Sequence, residues 1–564
     1  MVQSLTDARS GKLSLKPKTL KAICAVHDRY WTDKRRDLYR YKQAYETEFW
    51  DKSETFGMGD FGIQIQTADA YGYIESFVAS LFSRNPGVIF KDGLRARGNR
   101  KIAEHLANDF LLRQRTVIEN AARMALIYPM AFAKLMPRDS DDIYRRVDMF
   151  AIPPWEVIVD RQARRWEDCR YVGHKYFLPI AEAKRLFGNR DFEAQRKQEY
   201  FDRSYLEDED PNLDLEMFEF IEIIEMYDLQ EDMMYFWSPN FGDGEKMLEQ
   251  SEIPFDNVSG EKVLPIVPLY FNRIPDNPLD GYSSLKRIYD QIYETNLIRT
   301  FQANGVRKAS RQYLVRKGAM DEEQMAQVAS GIDGLFIEID DDNINNVVIP
   351  LPQNQTPPEL QFYYDQVQRD KDKGNILAPF TRGEATKSSA TEVAALAAYT
   401  SSEIGRLARE RDSMIESLAI TYLNILRLYL EESGDRNIIN VDGQPEVVQP
   451  SDLAENWTCY AQDQAMTPIS ESVQKREFIQ SIPMLQQLGV PPQTLLKELT
   501  RSLGLPASFY EEAQQANKEM LAQQASAASA KQASGEVQMD ASELSQMGAT
   551  IGPGQLQQII GGTN

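Results

Sequence analysis

Four sets of residues have types and spacings that could do chemistry. Gly57-Met-Gly-Asp-Phe-Gly62 matches G-x-G-x-x-G letter for letter. In a dinucleotide site such glycines lie between a buried strand and a helix N-terminus, where backbone amides meet the pyrophosphate. The residues before it, Phe49-Trp-Asp-Lys-Ser-Glu-Thr-Phe56, are charged and alternate poorly, so the stretch reads as a loop. Gly383-Glu-Ala-Thr-Lys387-Ser388 matches part of a phosphate-binding loop. It lacks the glycine before the lysine and is one residue short, so a nucleotide's phosphates have no amide cradle. Asp340-Asp341-Asp342-Asn343-Ile344-Asn345 has the look of a calcium loop. Counted from Asp341, position six is Asn346 instead of Gly and position twelve is Pro352 instead of Glu. A solvated turn between strands fits it better, with an incidental divalent site as the alternative. Last, none of His27, His105 and His174 has a second His or a Cys at ligand spacing, and no Gly-x-Ser-x-Gly elbow occurs. The expectation is a chain with no catalytic residues, no cofactor and no metal.

What remains is architecture. A chain of 564 residues can bury several cores, and 42% hydrophobic with 26% charged residues is an ordinary globular balance. No run reaches the roughly 18–20 apolar residues of a membrane helix, and the N-terminal residues have no apolar signal core. Cys24, Cys169 and Cys459 lie far apart in sequence. They suggest neither a disulfide framework nor a metal cluster, and fit a reducing compartment. The net charge is −22, and residues 199–261 hold 20 acidic against two basic side chains. Residues 1–50 run the other way, with 11 basic against six acidic. A tight nucleic-acid binder would show a basic stripe. The acidic bias reads as solvated faces, or as a surface past which a phosphate polymer slides without sticking.

The periodicity predicts helices over 15–50, 68–83 and 101–127. The first carries Tyr30, Trp31, Leu38, Tyr41, Tyr45 and Phe49, which suit core packing first and base stacking second. Strands are expected at 132–136, 144–150, 155–159 and 170–177, then a short helix over 180–187 stopped by Gly188. A hairpin over 216–227 and 233–237 follows. Leu285, Ile288, Tyr289, Ile292, Tyr293, Leu297 and Phe301 form an apolar helical stripe that Ser283 or Ser284 can cap. Strands at 312–315, 335–339 and 347–349, with a small helix over 321–329, lead to a helix opened by Pro357-Pro358. The polar loop 381–389 precedes a helix over 390–433, stopped by Gly434 and about 60 Å long, with Gly405 as its expected bend. A hairpin over 438–441 and 446–448 comes next, then three helices opened by Pro468, Pro491 and Pro506. Beyond Glu511 the chain is rich in Ala, Gln and Ser.

The order of these elements, with several local strings, resembles the portal proteins (head-to-tail connectors) of tailed bacteriophages. Pro153-Pro154-Trp155-Glu-Val-Ile-Val-Asp160 with Trp166-Glu-Asp168 is similar to the strand and acidic turn of portal wings. Phe177-Leu-Pro-Ile-Ala-Glu-Ala-Lys-Arg-Leu-Phe-Gly188 fits the helix that follows. Gly281-Tyr-Ser-Ser-Leu-Lys-Arg-Ile-Tyr-Asp-Gln-Ile-Tyr-Glu-Thr-Asn296 resembles the first stem helix. Ala378-Pro-Phe380, and then Ser388-Ser-Ala-Thr-Glu-Val393, resemble the tunnel loop and the start of the long helix.

The resemblance implies an α+β, multidomain, portal-type subunit. Residues 1–279 would be a wing with an N-terminal helical region, 280–308 and 357–375 two stem helices, and 309–356 a small β-containing clip. Residues 376–390 would be the tunnel loop, 391–460 the long kinked helix with a wing hairpin, 461–535 an α-helical crown and 536–564 a tail. It further implies a ring of about twelve subunits at one capsid vertex of the virion, assembled in the host cytoplasm. Double-stranded DNA would be packaged and ejected through that ring. Its partners would be the terminase large subunit, then the tail adaptor, with the major capsid protein and scaffold, and no membrane. Arg382, Lys387, Ser388 and Ser389 would face DNA from the tunnel loop. Lys286, Arg287, Arg299, Lys371 and Lys373 would face the channel or form intersubunit ion pairs. Asp340, Asp341, Asp342 and Asn343 would lie on the adaptor-facing clip. The alternatives are a nucleic-acid-processing enzyme, or a head-completion or scaffold protein of the packaging apparatus.

Overall fold

The computed structural model describes residues 15–50, 64–83, 85–91, 98–188, 190–193, 195–196, 219–257, 259–309, 313–315, 321–323, 326, 348–350, 358–374, 390–434, 437–441, 444–453, 458–461, 481–483, 485 and 495. The chain is a mixed α+β protein with several small sheets. It divides into two compact units, Met1–Ala465 and Met466–Asn564. In the second, the few described residues are helical.

The first unit opens with helices α1 (Pro17–Tyr45) and α2 (Asp69–Leu81), strand β1 (Val88–Lys91), and helices α3 (Arg100–Arg113) and α4 (Arg115–Ile127). Strands β2 (Ala131–Pro137), β3 (Val147–Ile152), β4 (Val157–Val159) and β5 (Tyr171–Pro179) follow, then helix α5 (Ile180–Phe187). Next come β6 (Gln195–Arg196), β7 (Glu219–Asp228), β8 (Met233–Trp237), β9 (Met247–Glu252), β10 (Ile266–Leu269), β11 (Arg273–Ile274) and β12 (Asn277–Gly281). Helix α6 (Tyr289–Ala309), strands β13 (Tyr313–Val315) and β14 (Val348–Pro350), and helices α7 (Pro358–Gly374) and α8 (Ala390–Ser433) precede β15 (Asn437–Val441), β16 (Gln444–Val448) and β17 (Thr458–Ala461).

Period-two burial builds the first layers. Strands β4-β5-β7-β8-β9, with β6 beside β7, form an antiparallel sheet, and β10-β2-β3 form a smaller one. Ile224 and Met226 on β7 face one side, where Leu20 and Cys24 of α1 pack on them with Ile158 and Trp237. Tyr227 faces the other side, with Phe132, Val157, Val172 and Ile266. The larger sheet therefore has the start of α1 on one side and the smaller sheet on the other, where Trp31 and Leu38 of α1 also pack. α1 docks through Leu20, Cys24, His27, Trp31 and Leu38, one face of a helix.

Helix α8 organises the largest core. All of residues 421–427 are buried, so the helix is covered all round at that level. Its Ile404, Leu407, Met414, Ile415, Leu418, Leu426 and Leu430 share a cluster with α2, α3, α4, β1, β2 and β10. Phe110 stacks on Tyr422 with ring centroids 4.1 Å apart. Arg411 is fully buried and donates to the Leu81 carbonyl at the end of α2. That carbonyl is one of the helix-terminal acceptors left without an intrahelical donor.

Several sequence expectations need correction. The helix expected over 101–127 is two helices that turn at Gln114, whose ψ of 8° leaves the helical basin. The strand expected over 144–150 begins as a 3-10 turn, Ile143–Arg145, because the Asp142 side chain caps the Tyr144 amide. Residues Pro154–Glu156 are likewise a 3-10 turn ahead of β4. Strands β1, β10 and β17 escaped notice because each is only four residues long and finds its partner far along the chain, as β1 does with β17; β9, paired with its chain neighbour β8, was also missed. Gly188 and Gly434 do end their helices, at φ of 83° and 65°. Gly405 lies inside an unbroken helix.

Gly281 closes β12 where the chain turns toward α6. An added Cβ would sit 2.4 Å from the Pro129 carbonyl oxygen and 2.7 Å from that of Asn272, both backbone atoms. Gly281→Ala should therefore destabilise the first unit by at least about 2 kcal/mol. A urea midpoint equal to that of the wild type would contradict this.

Candidate functional site

Helices α6 and α7, with the 3-10 turn that leads into α6, hold five of the residues that the sequence nominates for function. Ser283 Oγ accepts from the Leu285 amide, and a 3-10 turn, Ser284–Arg287, leads into α6. Pro358 opens α7, where a missing amide donor costs nothing. Glu294 meets Tyr363, Thr295 Oγ1 accepts from Gln368 Nε2 at 3.1 Å, and Ile288 lies against Gly374. Falling numbers on one helix meet rising numbers on the other, so the pair is antiparallel. Between them β13 and β14 pair antiparallel, Tyr313 opposite Pro350. The chain leaves along one helix, makes a strand pair and returns along the other.

A polar inner face anchors this pair. Asn296 Oδ1 accepts from the Thr67 amide and Thr300 Oγ1 from the Ile65 amide, both at 3.0 Å. Thr295, Asn296, Thr300 and Asn304 are buried, while Phe301, the last member of the apolar stripe, is 47% exposed. The stripe expected to enter the core does so only at Leu285, Ile288 and Ile292. Further along, α6 turns polar residues inward, because they satisfy the extended backbone ahead of α2. The sequence reading missed these residues; Thr295, Asn296, Thr300 and Asn304 at helical spacing were the signal.

The nominated cations divide by environment. Lys371 is largely buried and ion-paired with Asp69 at 3.0 Å, which ties α7 to the start of α2. Lys373 is exposed beside Asp370. Lys286, Arg287 and Arg299 are exposed, with Arg287 donating to the Tyr282 hydroxyl at 3.3 Å. Arg382, Lys387, Ser388, Ser389, Asp340, Asp341, Asp342 and Asn343 lie outside the described residues, as do the glycine-rich stretch 57–62 and most of 461–535.

Two polar clusters, one buried and one half-buried, hold the layers and were also missed. Between the sheets, Lys134 Nζ on β2 donates to Glu225 Oε2 on β7 at 2.7 Å and contacts His174 Nδ1 at 3.2 Å. Tyr227 donates to the other Glu225 oxygen. His174 stands directly opposite Glu225 in the sheet register. Burial, with the neighbouring Lys134 charge, pushes the His174 imidazole down to about 2, so it stays neutral. Lys134, His174, Glu225 and Tyr227 are all buried, so no substrate reaches them, and the network works as a cross-link between sheets. The second cluster joins α1 to β12. Lys34 Nζ reaches Asp280 Oδ2 at 2.7 Å, Tyr30 donates to the same carboxylate, and the Arg161 guanidinium covers the Tyr30 ring at 3.2 Å. A charge inside an apolar strand, as in Ala-Phe-Ala-Lys134-Leu-Met, was the visible clue. Close by, in the nominated acidic turn, Asp160 is held by Arg170 at 2.6 and 3.0 Å. Burial alone would raise that carboxyl, but the Arg170 and backbone hydrogen bonds outweigh it and hold it below the usual range.

The other nominated groups are packed. His27 bonds the Trp155 carbonyl at 2.8 Å, and burial pushes it down to about 4. His105 bonds the Tyr144 hydroxyl at 3.2 Å. Cys24, Cys169 and Cys459 are free, buried thiols, each pushed up to about 12 by burial. Among the described residues no group of three or more His, Cys, Asp or Glu is placed to hold a metal ion. Among them, too, no helix is long and apolar enough to cross a membrane. Comparison with protein-family models and with curated proteins finds no match to this chain.

The two depressed histidines give a pH dependence. Both are neutral when folded and take up protons near 6.5 when unfolded, so the unfolded chain binds more protons as pH falls. Their contribution is fully present above about 6.5 and is lost as pH falls, down to about 4 for His27 and about 2 for His174, where each charges in the folded chain. The urea midpoint should fall from pH 7 to pH 5, and His174→Gln should flatten that fall. A wild-type midpoint unchanged over this interval would contradict the assignment.

Proposed function

We propose that this chain is the subunit of a ring-shaped channel for double-stranded DNA, of the portal type. One observation carries the reading: the antiparallel pair α6 and α7, joined through the strand pair β13 and β14, precedes a 44-residue helix seated in the core. This is the element order of a subunit whose helical pair lines a tube. The pair also leaves apolar surface in water. Phe301 is 47%, Phe362 69% and Tyr363 45% exposed. Aromatic surface on two adjacent helices calls for cover, and a ring of identical neighbours supplies it by repeating one heterologous contact. In this reading Arg299 and Lys373 face the next subunit or the channel, and Lys371 keeps its helix in place.

The remaining parts then take their roles from the resemblance. The clip, 309–356, meets the terminase motor and later the tail adaptor, with Asp340 to Asn343 on that face. The loop 376–390 contacts moving DNA through Arg382, Lys387, Ser388 and Ser389. The particle sits at one vertex of the virion, beside capsid protein and scaffold, and the chain itself catalyses nothing.

Native mass spectrometry tests the reading. Twelve copies of the 64.5 kDa chain give about 770 kDa. The wild type should approach that mass, and Phe301→Asp with Phe362→Asp should stay monomeric with an unchanged urea midpoint. A wild type that remains monomeric at high concentration with scaffold present would overturn it, as would nuclease or ATPase activity in the pure protein. Within the same reading, Lys387→Ala should leave ring assembly intact and change DNA packaging or retention. Packaging and retention equal to the wild type would remove the loop's assigned role.

A further inference from the structure

The net charge of −22 hides a basic ridge on α1. Lys18, Lys21, Arg29, Arg36 and Arg40 are all exposed. With 3.6 residues per turn, their positions fall within an arc of about 100°. From Lys18 to Arg40 the ridge runs about 33 Å along the helix. Between the cations that arc holds Ala22, Ala25, Thr32 and Tyr39, also exposed and uncharged. No ion pair engages the five cations among the described residues. The acids of α1 lie off the ridge: Asp28 is ion-paired with Lys175 at 2.8 Å, while Asp33 and Asp37 stand along one flank. The opposite face of α1 is locked into the sheet by Leu20, Cys24, His27 and Trp31. The cations are therefore held in line on a rigid rod.

We infer that this ridge binds the phosphate backbone of duplex nucleic acid, laid along α1. A line of cations separated by uncharged side chains, none of them ion-paired among the described residues, suits a repeating row of phosphates. Laid along the backbone, the ridge would contact phosphates and not base edges, so the binding is independent of sequence. The surface belongs to the single chain and does not depend on the ring reading: it grips a duplex, whereas a channel lets one slide.

The test is fluorescence anisotropy with a mixed-sequence 30-base-pair duplex and the full chain at concentrations where it is monomeric. Five phosphate contacts predict a slope of log affinity against log salt of about −4.5, or about a 500-fold loss between 50 and 200 mM salt. The exposed pair Arg29→Gln with Arg36→Gln should lower the slope to about −2.7 and the loss to about 40-fold. A control of equal charge change, Lys184→Gln with Arg185→Gln on α5, should keep the wild-type slope. No binding at 50 mM salt would overturn the inference. So would a slope unchanged in the α1 variant, or one lowered equally in the control. Salt-sensitive self-association that the α1 variant abolishes, without DNA affinity, would also overturn it and mark the ridge as a contact for an acidic face of a second copy.

Discussion

A 44-residue helix with apolar groups on most of its sides cannot stand in water, and the rest of the first unit is arranged to cover α8. Helices α2 and α3 and strands β1, β2, β10 and β17 all contact it. At residues 421–427 the cover is complete. Arg411 shows the cost of that design. The helix carries a guanidinium into the core, where the Leu81 carbonyl and the Asp412 carboxylate accept its hydrogen bonds. Loss of either acceptor would leave a buried charge, which is far more costly than a missing surface pair.

Polar groups then set how the remaining layers meet. Lys134 and Glu225 register one sheet against the other, Lys34 and Tyr30 fasten α1 to Asp280, and Asn296 and Thr300 hold the segment that leads into α2. These contacts join residues up to 250 positions apart. They give the helix pair α6 and α7 a fixed footing on the core, which any channel built from repeated copies would require.

Much of this order is visible in the sequence because it is local. Gly434 marks the end of α8, Pro358 the start of α7, and the turn after Asp228 the hairpin β7–β8, each through a backbone preference of one or two residues. What the sequence hides is long-range. Strand β17 exists because β1 lies beside it, and Gln114 breaks a continuous helical pattern with no proline or glycine to announce it. The inward polar residues of α6 contradict its apolar stripe, and only the location of residues 65–67 explains them. The basic ridge of α1 is masked in the same way, because acids adjacent in sequence rotate off it in the helix. The nominated tunnel-loop and clip residues lie outside the described residues, so their reading rests on the resemblance alone.

The central claim is that copies of this chain close into a ring with an open axis. Negative-stain electron microscopy of the assembled protein, averaged over end-on views, measures this most directly. The account predicts rotational symmetry of about twelve subunits around a hole wide enough for a DNA duplex. Compact particles without an axial hole, or open filaments from the same heterologous contact, would contradict it.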